Sequence, residues 1–189
     1  LDNIIEANAY PLLPIEEITL MNRKIGLGVM GWADVLMEWG IPYDSEQAIE
    51  RAEKTMERME RLAIKASETI AVERGPFPGF NKSIWATRGN KPRRNATVTT
   101  IAPTGTISII AGVSSGIEPV FSLAFERKAL DGDRMIFIHP ALKRVLRKHN
   151  VRSRKALTRI LETGSVSEIN EIPTKICRSL KTATEIKPI

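Results

Sequence analysis

The sequence predicts an α/β chain, mostly helical with a few strands, on three observations. Asp44 to Arg74 carries a continuous apolar stripe, Ala48, Ala52, Met56, Met59, Ala63, Ala66 and Ile70, at the three- and four-residue spacing of one helix face. Asn95 to Ala102 is short, rich in β-branched residues and bounded by turn residues, the pattern of a buried strand. Met135 to Ile138 is a second short apolar run, set between the turn Asp131-Gly132-Asp133 and Pro140, which opens a helix. The 189 residues, 42% of them hydrophobic, suffice for one domain or for part of a larger one.

Taken in order, Leu1 to Glu6 reads as an amphipathic segment, and Asn8-Ala-Tyr-Pro-Leu-Leu-Pro14 is a short connection, because each proline disfavours helix at the residue before it. From Ile15 the positions Ile18, Met21, Ile25 and Val29 keep helical spacing through Gly26, Gly28 and Gly31. Gly26-Leu-Gly28-Val-Met-Gly31 matches the dinucleotide pattern G-x-G-x-x-G letter for letter. No β-branched strand precedes it and no acidic ribose partner follows on a strand, so the glycines are read as permitting close helix packing. Asp44 and Ser45 are good N-caps for the long helix, whose outer face pairs Glu50 with Lys54 and Glu57 with Arg61 at i,i+4. Gly75-Pro-Phe-Pro-Gly79 stops that helix.

A short helix or turn at Ser83-Ile-Trp-Ala86 and a polar loop from Arg88 to Asn95 lead into the strand of Asn95 to Ala102. Ile107 to Ala111 starts a helix, and Gly112-Val-Ser-Ser-Gly-Ile-Glu-Pro119 is a tight loop. Val120 to Leu130 fits strand or helix. The remainder is helical, with a break at Thr163-Gly-Ser165 and a last helix begun at Glu171-Ile-Pro173.

Composition narrows the function classes. Lys and Arg number 28 against 22 Asp and Glu, a net charge of +6 that suits anionic ligands but is spread along the chain. The densest basic cluster, Lys143, Arg144, Arg147, Lys148, His149, Arg152, Arg154 and Lys155, flanks Leu142, Val145 and Leu146 at helical spacing. Without aromatic residues for stacking it reads as a solvated helix face, and no DNA or RNA partner is expected. Cys177 is the only cysteine, so no intramolecular disulfide can form; among Ile172, Ile176 and Leu180 it reads as a buried small apolar residue. One thiol with His139 and His149 does not make a Cys/His zinc site, and a reducing cytoplasm is the expected compartment. No apolar run reaches 18 residues and no signal-peptide pattern opens the chain, so no membrane partner is expected. A first residue Leu1 in place of Met suggests a segment cut from something longer.

The best candidate site follows the expected strand. Phosphate oxygens are matched most simply by free backbone N–H groups at a helix start, assisted by hydroxyls. Pro103-Thr-Gly-Thr-Ile-Ser108 offers both: Gly105 lets the backbone approach an oxygen, and the Thr104, Thr106 and Ser108 hydroxyls donate without adding charge. No lysine lies between Pro103 and Phe125, so this is not a Walker loop. From the pattern alone, a strand followed by an ordinary Thr-rich helix cap remains an equal reading.

At this loop the chain resembles a family. Ala102-Pro-Thr-Gly-Thr-Ile-Ser108 followed by Ser115-Gly-Ile-Glu-Pro119 looks like the substrate-phosphate loop and its successor in ribonucleotide reductase large subunits. Asn22 to Ala33 is similar to the family's upstream glycine-containing helix, and Phe125-Glu-Arg-Lys-Ala-Leu-Asp-Gly132 and Gly164 to Pro173 resemble later segments in the right order. Glycine at Gly105 looks closest to the adenosylcobalamin-dependent class. The resemblance implies part of a ten-stranded α/β barrel of the reductase type, in an enzyme that reduces ribonucleoside di- or triphosphates to deoxyribonucleotides for DNA replication by thiyl-radical chemistry. It implies that Pro103, Thr104, Gly105, Thr106, Ile107 and Ser108 bind the substrate's phosphates, and that adenosylcobalamin serves the full-length enzyme.

The radical cysteine, its neighbouring Asn and Glu, and the effector site belong to family regions upstream, and Cys177 matches no catalytic position. The segment therefore binds substrate without reducing it, and its partner is the N-terminal portion of the reductase. Arg93 and Arg94 can add positive potential, although a solvated loop is the plainer reading. The alternative is a non-catalytic helical interaction module that pairs through the stripe of Asp44 to Arg74. A piece of a barrel also exposes apolar edges, so self-association into a homo-oligomer is expected.

Overall fold

The computed structural model describes residues 1–128, 134–167 and 169–187. Its helices are α1 (Asp2–Ala7), α2 (Leu13–Asn22), α3 (Trp32–Trp39), α4 (Glu46–Arg74), α5 (Ile84–Thr87), α6 (Gly105–Ala111), α7 (Pro140–Lys148), α8 (Arg154–Thr163) and α9 (Thr174–Ser179). Strands β1 (Ala124–Lys128) and β2 (Arg134–Ile138) form an antiparallel pair in the register Phe125 to Phe137, with those two rings stacked 5.2 Å apart. The mostly helical expectation holds, and within the ambiguous stretch that begins at Val120 the residues Ala124–Lys128 form strand β1. The expected turn Asp131 to Asp133 lies outside the described residues.

The chain divides into two compact units, residues 1–28 with 53–101, and residues 29–52 with 102–189. The first unit is built on a buried polar centre. Asn95 is fully buried; its amide nitrogen donates to Asp2 Oδ1 (2.9 Å) and the Arg23 carbonyl (3.0 Å), and its oxygen accepts from Ser67 Oγ (2.9 Å). Arg23, left-handed at the end of α2, pairs with Asp2 at 3.0 Å and with Glu6 at 2.6 Å. Burial pushes the Asp2 carboxyl up, but hydrogen bonds from Asn95, Arg23 and Arg94 together with the Arg23 charge hold it below its ordinary value. Beside this centre Phe77, Phe80 and Ala96 pack with Trp85 into a small apolar core.

Several expectations for this unit are corrected. The helix that starts near Ile15 ends at Asn22, so Ile25 and Val29 lie on no helix. Lys24 to Gly28 instead runs beside Thr97 to Thr100: Ile25 N donates to Thr97 O (3.1 Å) and Leu27 N to Val98 O (2.8 Å). A Cβ on Gly26 would lie 2.6 Å from Thr100 Cγ2, so the glycines do serve close packing, between two extended segments rather than helices. For the same reason Asn95 to Ala102 is not a strand. It carries a single parallel bridge, Leu27 to Thr99, because its pairing partner is itself only a few residues long. On α4 the inward position after Ala63 is Ser67, which is buried against Asn95, while Ala66 is exposed. Arg93 and Arg94 are not a solvated loop. The Arg93 guanidinium lies 3.7 Å over the Trp85 ring and donates to Ala96 O, and Arg94 donates to Asp2 and to the Arg74 and Gly75 carbonyls.

The second unit holds the larger core. Ala33 and Met37 of α3 pack with Leu123, with Leu142, Val145 and Leu146 of α7, with Ala156 and Ile160 of α8, and with Val166, Ile176 and Leu180. Buried and charged residues alternate along α7 as its amphipathic pattern dictates, so Lys143, Arg144, Arg147 and Lys148 are exposed. The basic cluster does not continue as one face, since α7 ends at Lys148 and Asn150 turns left-handed. Pro173 is the N-cap of α9 rather than a first-turn residue, and a 3-10 turn at Ala183–Glu185 follows that helix. Cys177 is half-buried, its thiol donating to the Val166 and Ile172 carbonyls.

Candidate phosphate-binding loop

The loop Pro103 to Ser108 turns sharply because Thr104, the N-cap of α6, takes the left-handed conformation (φ 52°, ψ 28°). A non-glycine residue there costs about 1–2 kcal/mol, so its surroundings must hold it. They do so through the following loop. Gly116 N donates to Thr104 Oγ1 at 2.7 Å, and Ser108 Oγ donates to Gly105 O (2.9 Å) while bonded to Ser115 Oγ at 3.0 Å. Gly116 lies so close beneath the turn that a Cβ on it would meet Ala102 O at 2.7 Å.

The outcome is an exposed helix start. The amides of Gly105, Thr106 and Ile107 precede the first intrahelical bond, Ser108 N to Thr104 O, and a Cβ on Gly105 would meet nothing within 4 Å. Pro103, Thr106 and Ile107 are exposed. Ser108 is 2% exposed and its hydroxyl donates to Gly105 O, a bond that braces the turn. Thr104 Oγ1 accepts from Gly116 and keeps its own proton to donate.

Sequence reasoning missed Asp34. This residue of α3 is 4% exposed, and its Oδ2 accepts from Ser114 N at 2.7 Å, while Gly31 N donates to Ser114 O at 2.8 Å. An acid inside the apolar run Trp32-Ala-Asp-Val-Leu-Met37 is the signal that marks it. His139 Nδ1 and the Arg144 guanidinium each lie 3.8 Å from Asp34 Oδ1, and Arg144 also pairs with Glu38. Burial pushes the His139 imidazole below its ordinary value, partly offset by the Asp34 charge and reinforced by Arg144. A cavity of about 340 Å³ beside the turn is lined by Ser108, Ser114, Ser115, Glu118, Phe121 and His139 among others. Among the described residues no group of three His, Cys, Asp or Glu could hold a metal ion, and no helix is long and apolar enough to cross a membrane.

The model of the ribonucleotide reductase barrel domain matches residues 1–93 and 88–189. The chain belongs to this family. A vitamin B12-dependent ribonucleoside-diphosphate reductase of Thermoplasma acidophilum is 45% identical over 188 residues, which is 100% of this chain and 24% of that protein. One of Mycobacterium tuberculosis is 43% identical, again over all of this chain and 27% of its own length. Among solved structures, the Actinobacillus ureae class Id ribonucleotide reductase alpha subunit superposes with a TM-score of 0.78 at 25% identity, over 98% of this chain and 34% of that subunit. The barrel segment thus spans about a quarter of the length of these curated relatives.

Proposed function

We propose that this chain is part of a ribonucleotide reductase that converts ribonucleoside diphosphates to deoxyribonucleotides, for DNA replication, by adenosylcobalamin-dependent radical chemistry in the cytoplasm. Within it, Pro103 to Ser108 holds the substrate's phosphates. The diphosphate and the cofactor are named for the relatives at 43–45% identity. The observation that supports the phosphate role is the exposed helix start at Gly105 to Ile107, whose amides precede the first intrahelical bond in a turn braced by Gly116 and Ser115. Such a loop fixes one end of the nucleotide so that the ribose meets radical machinery carried elsewhere in the reductase, a contribution of proximity rather than bond making.

The cofactor, when bound, supplies radical generation. The cavity beside α6, at about 340 Å³, does not fit it, being too small for a corrin ring with its nucleotide tail. On this reading the remainder of the reductase holds it. Ile107, Ile109 and Ile110 of α6, Phe121, and Phe125, Ile136 and Phe137 of the hairpin are exposed, as befits faces that the rest of a barrel covers. In the stripe that the assembly-module alternative uses, Ala48 is buried, Ala52, Met56, Met59, Ala63 and Ile70 are half-buried and Ala66 is exposed.

The test is Gly105→Val in the whole-length reductase. A Cβ at residue 105 meets nothing within 4 Å, so the substitution is expected to leave the fold intact, and that Cβ tilts toward the helix N-terminus, where the phosphate would approach. Loss of one charge-assisted hydrogen bond predicts a KM for the diphosphate raised about tenfold or more. An unchanged KM in a folded variant would remove the phosphate role from this loop.

A further inference from the structure

Asp34 is a buried carboxylate for which the phosphate reading has no use. Its Oδ1 has no hydrogen bond, and a buried polar atom without one is costly. Its one hydrogen bond leads somewhere specific. Oδ2 accepts from Ser114 N (2.7 Å), and the next two residues are those that brace the turn: Ser115 Oγ meets Ser108 Oγ (3.0 Å), and Gly116 N donates to Thr104 Oγ1 (2.7 Å). The Ser114 carbonyl is held in turn by Gly31 N, at the start of the helix that carries Asp34 (2.8 Å). Both backbone groups of Ser114 are thereby fixed to one rigid element.

We propose that Asp34 is the positioning residue of the phosphate loop, setting through Ser114 the place of the Thr104 turn and of the amides that follow it. This rests on the phosphate reading of Pro103 to Ser108. A backbone amide can be held by any acceptor of the right reach, so the proposal assigns the role to the acceptor oxygen and not to the negative charge. His139 and Arg144 face the other oxygen at 3.8 Å and keep the carboxylate from turning away.

The experiment uses the whole-length reductase with cytidine 5′-diphosphate and cytidine as probes, and compares Asp34→Ala, Asp34→Asn and Gly105→Val. The expected result for Asp34→Ala is a KM for the diphosphate raised about tenfold, with kcat within about twofold and cytidine affinity unchanged. Asp34→Asn, whose amide oxygen still accepts from Ser114 N, recovers most of that loss. Asp34→Leu, of similar volume, replaces Asp34→Ala if the latter does not fold. A fall in kcat at constant KM, an equal loss of cytidine and diphosphate affinity, or no rescue by Asn overturns the positioning role while Gly105→Val still raises KM. If Gly105→Val leaves KM unchanged, the phosphate reading itself fails and the proposal with it.

Discussion

Gly116 and Gly40 make a matched pair of perturbations. Both are left-handed, with φ of +45° and +69°, but a Cβ on Gly40 would meet nothing within 4 Å, whereas one on Gly116 would lie 2.7 Å from Ala102 O. Alanine at either position bears the left-handed cost of about 1–2 kcal/mol. At Gly116 the contact is with backbone, which no side-chain rotation relieves, so crowding adds about 1–3 kcal/mol. Moving residue 116 away also stretches its 2.7 Å bond to Thr104 Oγ1, worth about 0.5–1.5 kcal/mol. Gly116→Ala is therefore expected to weaken its loop by about 3 kcal/mol more than Gly40→Ala weakens the end of α3. The assay is amide hydrogen exchange in the whole-length protein, over peptides 102–118 for one variant and 36–45 for the other. A difference of that size accelerates exchange about a hundredfold beyond the Gly40 variant. Because the turn carries the proposed phosphate amides, KM for the diphosphate rises as well. Equal exchange penalties at the two glycines would refute the close approach, and an unchanged KM would refute its link to binding.

Two further outcomes concern the first unit. The folded Asp2 carboxyl is lowered, so the native state binds fewer protons than the unfolded chain as acid is added; the stabilisation is complete above about pH 4 and is lost as pH falls through the lowered value. Asp2→Asn is expected to flatten that acid limb and, by leaving Arg23 short of its buried partner, to cost about 3–5 kcal/mol near neutrality, read by circular dichroism across pH. Arg93→Lys is expected to destabilise by about 1–2 kcal/mol in chemical denaturation, because an ammonium keeps neither the planar stacking on Trp85 nor the fixed donor geometry to Ala96 O. A Lys variant as stable as the parent would show that simple charge, not shape, is what that position needs.

The sequence by itself determined the elements whose cause is local. The apolar stripe and the Ser45 cap produced α4, Pro140 opened α7, Gly164 closed α8, and the β-branched and aromatic run of Met135 to Ile138 became β2. It also determined the family, because Pro103 to Ser108 and Ser115 to Pro119 keep a recognisable wording in order. Tertiary structure decided whatever depended on residues far apart in the chain. Asn95, read as part of a polar loop, is fully buried because Asp2, Arg23 and Ser67 satisfy its donors and acceptor together. Asn95 to Ala102 had the composition of a strand but found only the short Lys24 to Gly28 segment beside it, and a ladder cannot outlast its partner. Ser108, offered as a ligand donor, was turned inward by Ser115, and Asp34 gained its place by meeting an amide eighty residues away. Periodicity records how one segment meets water and core. Hydrogen-bond partners across such separations leave no period, so they appear only once the chain has folded.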